Sequence, residues 1–154
     1  MAKSGGHKII TRNRKATHEY HLTTTYQAGL VLMGSEIKSI RLNQVNLSDG
    51  FVQERDGELW LMNVHVAPYA QAKTFGHTDP RRPRKLLLHK KEIAQIISRI
   101  REKGMTAIPV TLYLDGGRAK VEVAIGQGKK LYDKRASIAE RDTRRELQRI
   151  LKER

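Results

Sequence analysis

The dipeptide Asp56-Gly57 constrains the fold of this chain more than any other feature. Asp-Gly accepts the left-handed backbone at both centres of a tight turn, which is what a two-residue hairpin requires. Residues 51–55 and 58–62 on either side are therefore expected to pair as strands. In the second, Trp60 and Met62 alternate with Leu59 and Leu61, so both of its faces should be covered. A second turn, Asp115-Gly116-Gly117, separates the strand segments 105–114 and 118–125. Lys120 and Glu122 alternate there with Val121 and Val123. Pro109 cannot donate to a ladder and marks an edge or a bulge. Residues 19–22 and 29–33 read as further short strands, the latter apolar throughout and expected to be buried.

Two helices interrupt the strands. Over 35–44, Ile37 and Ile40 face inward while Lys38 and Arg41 share another face. Farther on, Ile93, Ile96, Ile97 and Ile100 form one apolar stripe at helical spacing. Gly104 follows as a C-terminal cap, after Arg101 and Lys103. Short strands with two packed helices predict a β-rich α+β fold. A small closed barrel of the oligonucleotide-binding type, with helices outside, is one such architecture. After Gly128 the chain has only Leu147, Ile150 and Leu151 as an apolar patch, too little for a stable isolated helix. The expected organisation is a flexible basic N-terminus over 1–9, a core over 10–126, and a basic tail over 127–154. That tail is expected to be unfolded alone and helical against a partner.

The 154 residues carry a formal charge of +14, which implies an anionic partner. Aromatic residues are only 5%, so a membrane-surface helix with a bulky apolar face is disfavoured. No run of about 18 apolar residues is present, and residues 1–10 lack the apolar core of a signal peptide. Without cysteine there are no disulfides and no thiolate metal sites. Nucleic acid is the leading partner. The bases concentrate in 1–15, 81–91 and 128–154. The run Arg81-Arg82-Pro83-Arg84-Lys85 is expected to touch RNA, because such a loop facing only water would repel itself. For Lys38, Arg41 and Lys120 a solvated face and a phosphate contact are equally good readings. Tyr132 lies among Lys129, Lys130, Lys134 and Arg135, where it can stack on a base while its neighbours take phosphates.

Signs of catalysis are missing from the sequence. Gly126-Gln127-Gly128-Lys129-Lys130 lacks the remaining loop and the hydroxyl of a phosphate-binding loop. His18 and His21, three apart in an expected strand, would point to opposite faces and share no metal. No carboxylate pair or activated nucleophile stands out, so no enzyme activity, metal or cofactor is expected. A general basic RNA-binding or ribosome-associated protein has the same composition. A nuclease would need an acidic cluster that the sequence does not display.

Several strings together resemble one family, the SsrA-binding proteins (small protein B). They are Asn13-Arg14-Lys15-Ala16 with His18 and Tyr20, then Tyr26-Gln27-Ala28-Gly29, then Gly34-Ser35-Glu36-Ile37-Lys38-Ser39-Ile40-Arg41. Asn46-Leu47-Ser48-Asp49, Arg84-Lys85-Leu86-Leu87-Leu88-His89-Lys90 and Gly128-Lys129-Lys130-Leu131-Tyr132-Asp133-Lys134-Arg135 follow in order. The resemblance implies an oligonucleotide-binding-like barrel and binding to the tRNA-like domain of transfer-messenger RNA. It also implies delivery of that RNA to stalled 70S ribosomes for trans-translation, by a cytoplasmic monomer without a membrane anchor. By position it implies RNA contacts at Gln27, Leu87 and Lys120, with Lys38 and Arg41 beside them and Asn13, Arg14 and Lys15 from the opening signature. Gly128, Lys129, Lys130, Tyr132, Asp133, Lys134 and Arg135 would meet 16S rRNA at the decoding centre, with Arg144 and Arg145 lining the message channel. Two positions depart from the family pattern. Gln27 replaces the usual glutamate, and Asn43 stands where glycine is frequent, though asparagine tolerates the same left-handed turn.

Overall fold

Both glycine turns close hairpins. In the computed structural model, which describes residues 7–69, 79–128, 145–146 and 148–149, Asp56 and Gly57 have φ of 53° and 78°. They join β4 (Phe51–Arg55) to β5 (Glu58–Met62). Gly116 and Gly117, at φ 58° and 84°, join β8 (Met105–Asp115) to β9 (Arg118–Gly128). The other elements are β1 (His7–Arg12), α1 (Arg14–Glu19), β2 (Tyr20–Leu30), α2 (Gly34–Arg41), β3 (Val45–Asn46), β6 (His65–Val66), β7 (Arg84–Leu87) and α3 (Lys90–Ile100). Asn43, just after α2, takes the left-handed turn at φ 60°.

One seven-stranded sheet has the order β1-β8-β9-β2-β7-β5-β4, and β3 pairs with β6 apart from it. Its ladders are antiparallel. The sheet is curled but not closed. A Cβ on Gly50, just before β4, would lie 2.8 Å from Pro109 Cγ of β8, so the far edge comes back against β8. β1 takes that edge of β8 over Thr111–Asp115 and Asn13 takes the carbonyls of Pro109 and Val110, and no ladder joins β4 to β8. The closed barrel expected from sequence is therefore not formed among the described strands. Pro109 sits at a register shift between Pro109 and Thr111, the bulge its missing N–H requires.

The concave side holds the core: Ala28, Leu112, Val121, Val123 and Ile125 point into it with Leu59, Leu61 and Leu86. Ile96 of α3 is fully buried, while Ile93, Ile97 and Ile100 are half-buried against the same core. The expected strands at 19–22 and 29–33 are one long strand, β2, irregular between Leu22 and Thr25. Residues 31–33 leave the sheet, and Val31 and Met33 are exposed at 45% and 39%, contrary to the burial expected of them. An apolar run cannot by itself tell a core strand from a surface ledge. Among the described residues the sheet runs from His7 to Gly128.

Two polar clusters fasten the elements that carry the site. Asn13 caps α1 by accepting from Ala16 N–H at 3.2 Å. Its amide donates to the carbonyls of Pro109 (2.9 Å) and Leu47 (3.3 Å), and its own N–H donates to Val110 O at 2.7 Å. The carbonyls of Pro109 and Val110 lie at the β8 bulge, and Asn13 satisfies them. The second cluster ties α2 to β7. Glu36 is fully buried and accepts Met33 N–H (2.8 Å), Arg84 Nε (2.6 Å) and a further bond from Arg82. Arg84 is also fully buried and donates to Val64 O (2.8 Å) and Pro80 O (3.0 Å). Burial pushes the Glu36 carboxyl up, but the bonds from Arg82, Met33 N–H and Arg84 outweigh it and hold it below the usual range.

Candidate nucleic-acid interface

The outer face of the sheet is built from rows of side chains that adjacent ladders bring side by side. In the first row Arg12 of β1 stands opposite Thr111 of β8, then Glu122 of β9, then Gln27 of β2. In the second, Ile9 is followed by Tyr113, Lys120, Gly29 and Leu87. Strand alternation sends Leu112, Val121 and Ala28 inward, which turns these rows outward. Three positions scattered through the sequence, Gln27, Leu87 and Lys120, thus meet around a cleft of about 380 Å³, with His89 and Glu92 at its wall. Gly29 makes the cleft possible, because a Cβ there would sit 3.3 Å from Leu87 Cβ and narrow the gap between Leu87 and Lys120. Leu87 is 51% exposed, an apolar ledge beside a cation.

A second hollow of about 380 Å³ continues from Leu87 and Lys120 over Leu32, Met33 and Ile37 to Arg118. Arg41, from α2, reaches the hairpin at its rim, with Nη2 3.4 Å from Gly117 O. Lys38, one turn earlier, lies over the ring of Tyr69 at 5.5 Å, so the two helix cations serve different neighbours. Lys120 Nζ is 3.3 Å from Asp115, both partly exposed, a pairing that a phosphate can replace at small cost.

Gln27 is locked in one orientation. Its Nε2 donates to Glu122 at 3.0 Å, and its Oε1 accepts the Tyr113 hydroxyl at 2.6 Å. Burial, then Asp115 and Glu122, push the Tyr113 hydroxyl up, so it remains a donor. A glutamate at position 27 would set two carboxylates face to face across the ladder. Glutamine instead donates to Glu122.

The opening signature does not join this face. Asn13 and Lys15 border a separate cavity of about 580 Å³ whose wall includes Asp49, Tyr20 and Gly128, the last residue of β9. Asn13 is buried and both its amide donors are spent on carbonyls. Arg14 is exposed, and Lys15 lies 3.6 Å from Asp49.

The basic run proves largely paired within the fold, although only Arg84 is buried. Arg81 bonds Asn63 Oδ1 at 2.7 Å, Arg82 and Arg84 hold Glu36, and Lys85 lies 3.0 Å from Glu58. Its repulsion is relieved by acids distant in sequence, which a local reading does not see. Lys129, Lys130, Tyr132, Asp133, Lys134, Arg135 and Arg144 lie outside the described residues. Arg145 is helical and exposed. Sequence reasoning missed Arg118, Tyr113 and Glu122, although period-two alternation from Lys120 points to 118 and 122 on the same face. Among the described residues, no three His, Asp or Glu side chains lie close enough to hold a metal ion.

The pattern of the family described as SmpB protein matches residues 10–153. An SsrA-binding protein of Acidothermus cellulolyticus is 50% identical over 151 residues, covering 98% of this chain and 94% of that one. That of Carboxydothermus hydrogenoformans is 51% identical over 147 residues, covering 96% and 98%. A solved structure presented as "tmRNA-SmpB: a journey to the center of the bacterial ribosome" superposes with a TM-score of 0.68 at 40% identity. It covers 80% of this chain and 86% of that one. On both sequence and fold, the chain belongs to the SmpB family of SsrA-binding proteins.

Proposed function

We propose that this chain binds the tRNA-like domain of transfer-messenger RNA on the outer face of its sheet and delivers it to stalled ribosomes for trans-translation. The observation that carries the reading is the convergence of Gln27, Leu87 and Lys120 on one exposed cleft with Arg41 and Arg118 at its margins. Cations take phosphates, the Leu87 ledge takes an apolar edge or a ribose, and the fixed Gln27 amide reads hydrogen bonds. The curled sheet acts as an open relative of the oligonucleotide-binding barrel, with core 10–126 serving RNA and tail 127–154 serving the ribosome. Lys129, Lys130, Tyr132, Asp133, Lys134 and Arg135 act at the decoding centre, and Arg144 and Arg145 in the message channel. Because Gly128 and Lys15 border one cavity, Lys15 belongs with this ribosomal end. The protein acts in the cytoplasm as a monomer, by binding and without catalysis.

A competition titration tests this. Preference for transfer-messenger RNA over an ordinary tRNA and an unrelated hairpin, kept at raised salt, is the expected result. Equal binding to all three that collapses with salt would leave a general basic RNA binder.

A further inference from the structure

We propose that the part of the outer face between β1 and Gln27 is a second groove, which takes one unpaired nucleotide of the RNA bound beside it. The proposal rests on the RNA-binding reading above and extends that surface across the sheet to its edge. The groove measures about 540 Å³ and is walled by His7, Ile9, Arg12, Tyr113, Gln27 and Glu122. That volume lies within the range of small-ligand sites.

Its construction depends on a bulge. Ile9 and Arg12 are three residues apart, and regular alternation would put them on opposite faces. The register shifts between Ile9 and Thr11, and the extra residue, Ile10, is buried. The shift returns Arg12 to the outer face, where it and Ile9 line one groove. The wall then has the parts a nucleotide needs. Ile9 is 48% exposed, and the exposed His7 ring packs tilted at 33° against the buried Tyr113 with centroids 5.1 Å apart, so Ile9 and His7 offer an apolar and an aromatic contact to a base. Arg12 is exposed, and among the described residues no carboxylate pairs with it, which leaves its guanidinium for a phosphate. Glu122 Oε2 accepts from Gln27, and its other oxygen can accept from a base N–H.

The opposite signs of Arg12 and Glu122 orient the nucleotide, with the phosphate toward β1 and a donor-bearing base edge toward Glu122. Gln27 lines this groove and the Leu87–Lys120 cleft alike, so an RNA strand on one reaches the other.

The test uses the full chain and transfer-messenger RNA. Arg12→Gln should weaken binding several-fold and flatten the log–log salt dependence by about 0.7–0.9, one phosphate contact. A photo-crosslinking residue at position 9 should label a single unpaired nucleotide. Thermal melts confirm that both proteins are folded, and Lys120→Ala serves as the control for the main cleft. If Lys120→Ala weakens binding while Arg12→Gln leaves affinity and slope unchanged, or the label falls on protein, the groove is overturned and the main interface stands. If the unmodified chain shows no preference for transfer-messenger RNA and Lys120→Ala changes nothing, the interface itself fails and the groove with it.

Discussion

Replacing Arg84 with methionine separates the structural cations of this protein from the RNA-binding ones. Arg84 is fully buried and makes three bonds: to Glu36 at 2.6 Å, Val64 O at 2.8 Å and Pro80 O at 3.0 Å. Methionine fills a similar volume but satisfies none of these groups. Removing one partner of a buried ion pair costs about 3–5 kcal/mol, because the other charge stays buried. Arg82 keeps its bond to Glu36, so the lower end applies, about 3 kcal/mol. For a domain of this size that lowers Tm by roughly 10 °C. Urea unfolding gives the free energy, and an RNA titration at 25 °C gives the affinity, which should stay within about twofold of the parent. A double variant, Glu36→Leu with Arg84→Met, should lose less stability than the two single changes summed, since they share one interaction. A variant that melts with the parent yet binds RNA tenfold more weakly would make Arg84 an RNA contact and refute the reasoning.

Other consequences are equally specific. The folded Glu36 carboxyl titrates below its unfolded value, so its contribution to stability is complete above the ordinary carboxyl pKa of about 4.3 and is lost as pH falls through the folded value. Urea midpoints measured from pH 7 to pH 3 should fall less steeply in Glu36→Gln, and identical slopes would contradict this. Asn13→Ala removes a helix cap and strands the carbonyl of Pro109, while Leu47 O keeps the Gly50 N–H, which should cost roughly 2–3 kcal/mol in denaturant melts. At 25 °C, where the variant is still folded, its RNA affinity should match the parent's. Replacing Arg41 and Lys120 together with alanine should flatten the salt dependence of RNA binding by about 0.7–0.9 per lost phosphate contact, and an unchanged slope would assign both to a solvated face.

What could be read from the chain was whatever short-range chemistry dictates. Asp56-Gly57, Gly116-Gly117 and Asn43 adopt the left-handed conformations their residue types favour. Pro109 sits at the bulge its missing N–H demands. The isoleucine stripe of α3 forms a helix against the core. Harder to read were features whose cause lies far away in sequence. The bases at 81–85 are neutralised by Glu36, Asp49 and Glu58, and nothing in their own neighbourhood announces it. α1 depends on a cap that also serves carbonyls at Leu47 and Pro109. The sheet order puts β1 beside β8, a pairing across about a hundred residues of chain that a local pattern cannot show, and no ladder joins β4 to β8. For the site, the family positions Gln27, Leu87 and Lys120 do meet, but the Glu122 and Tyr113 partners that fix Gln27 become visible only in the ladder register.

The central claim is that the outer face of the sheet is the RNA surface. Leu87→Glu tests it most directly, because Leu87 is 51% exposed beside Gln27 and Lys120 on that face and a charge there burdens no core packing. The account predicts an unchanged Tm and at least a tenfold loss of affinity for transfer-messenger RNA, about 1.4 kcal/mol, through repulsion of the phosphate backbone. An unchanged affinity in a protein with the parental Tm would place the RNA elsewhere.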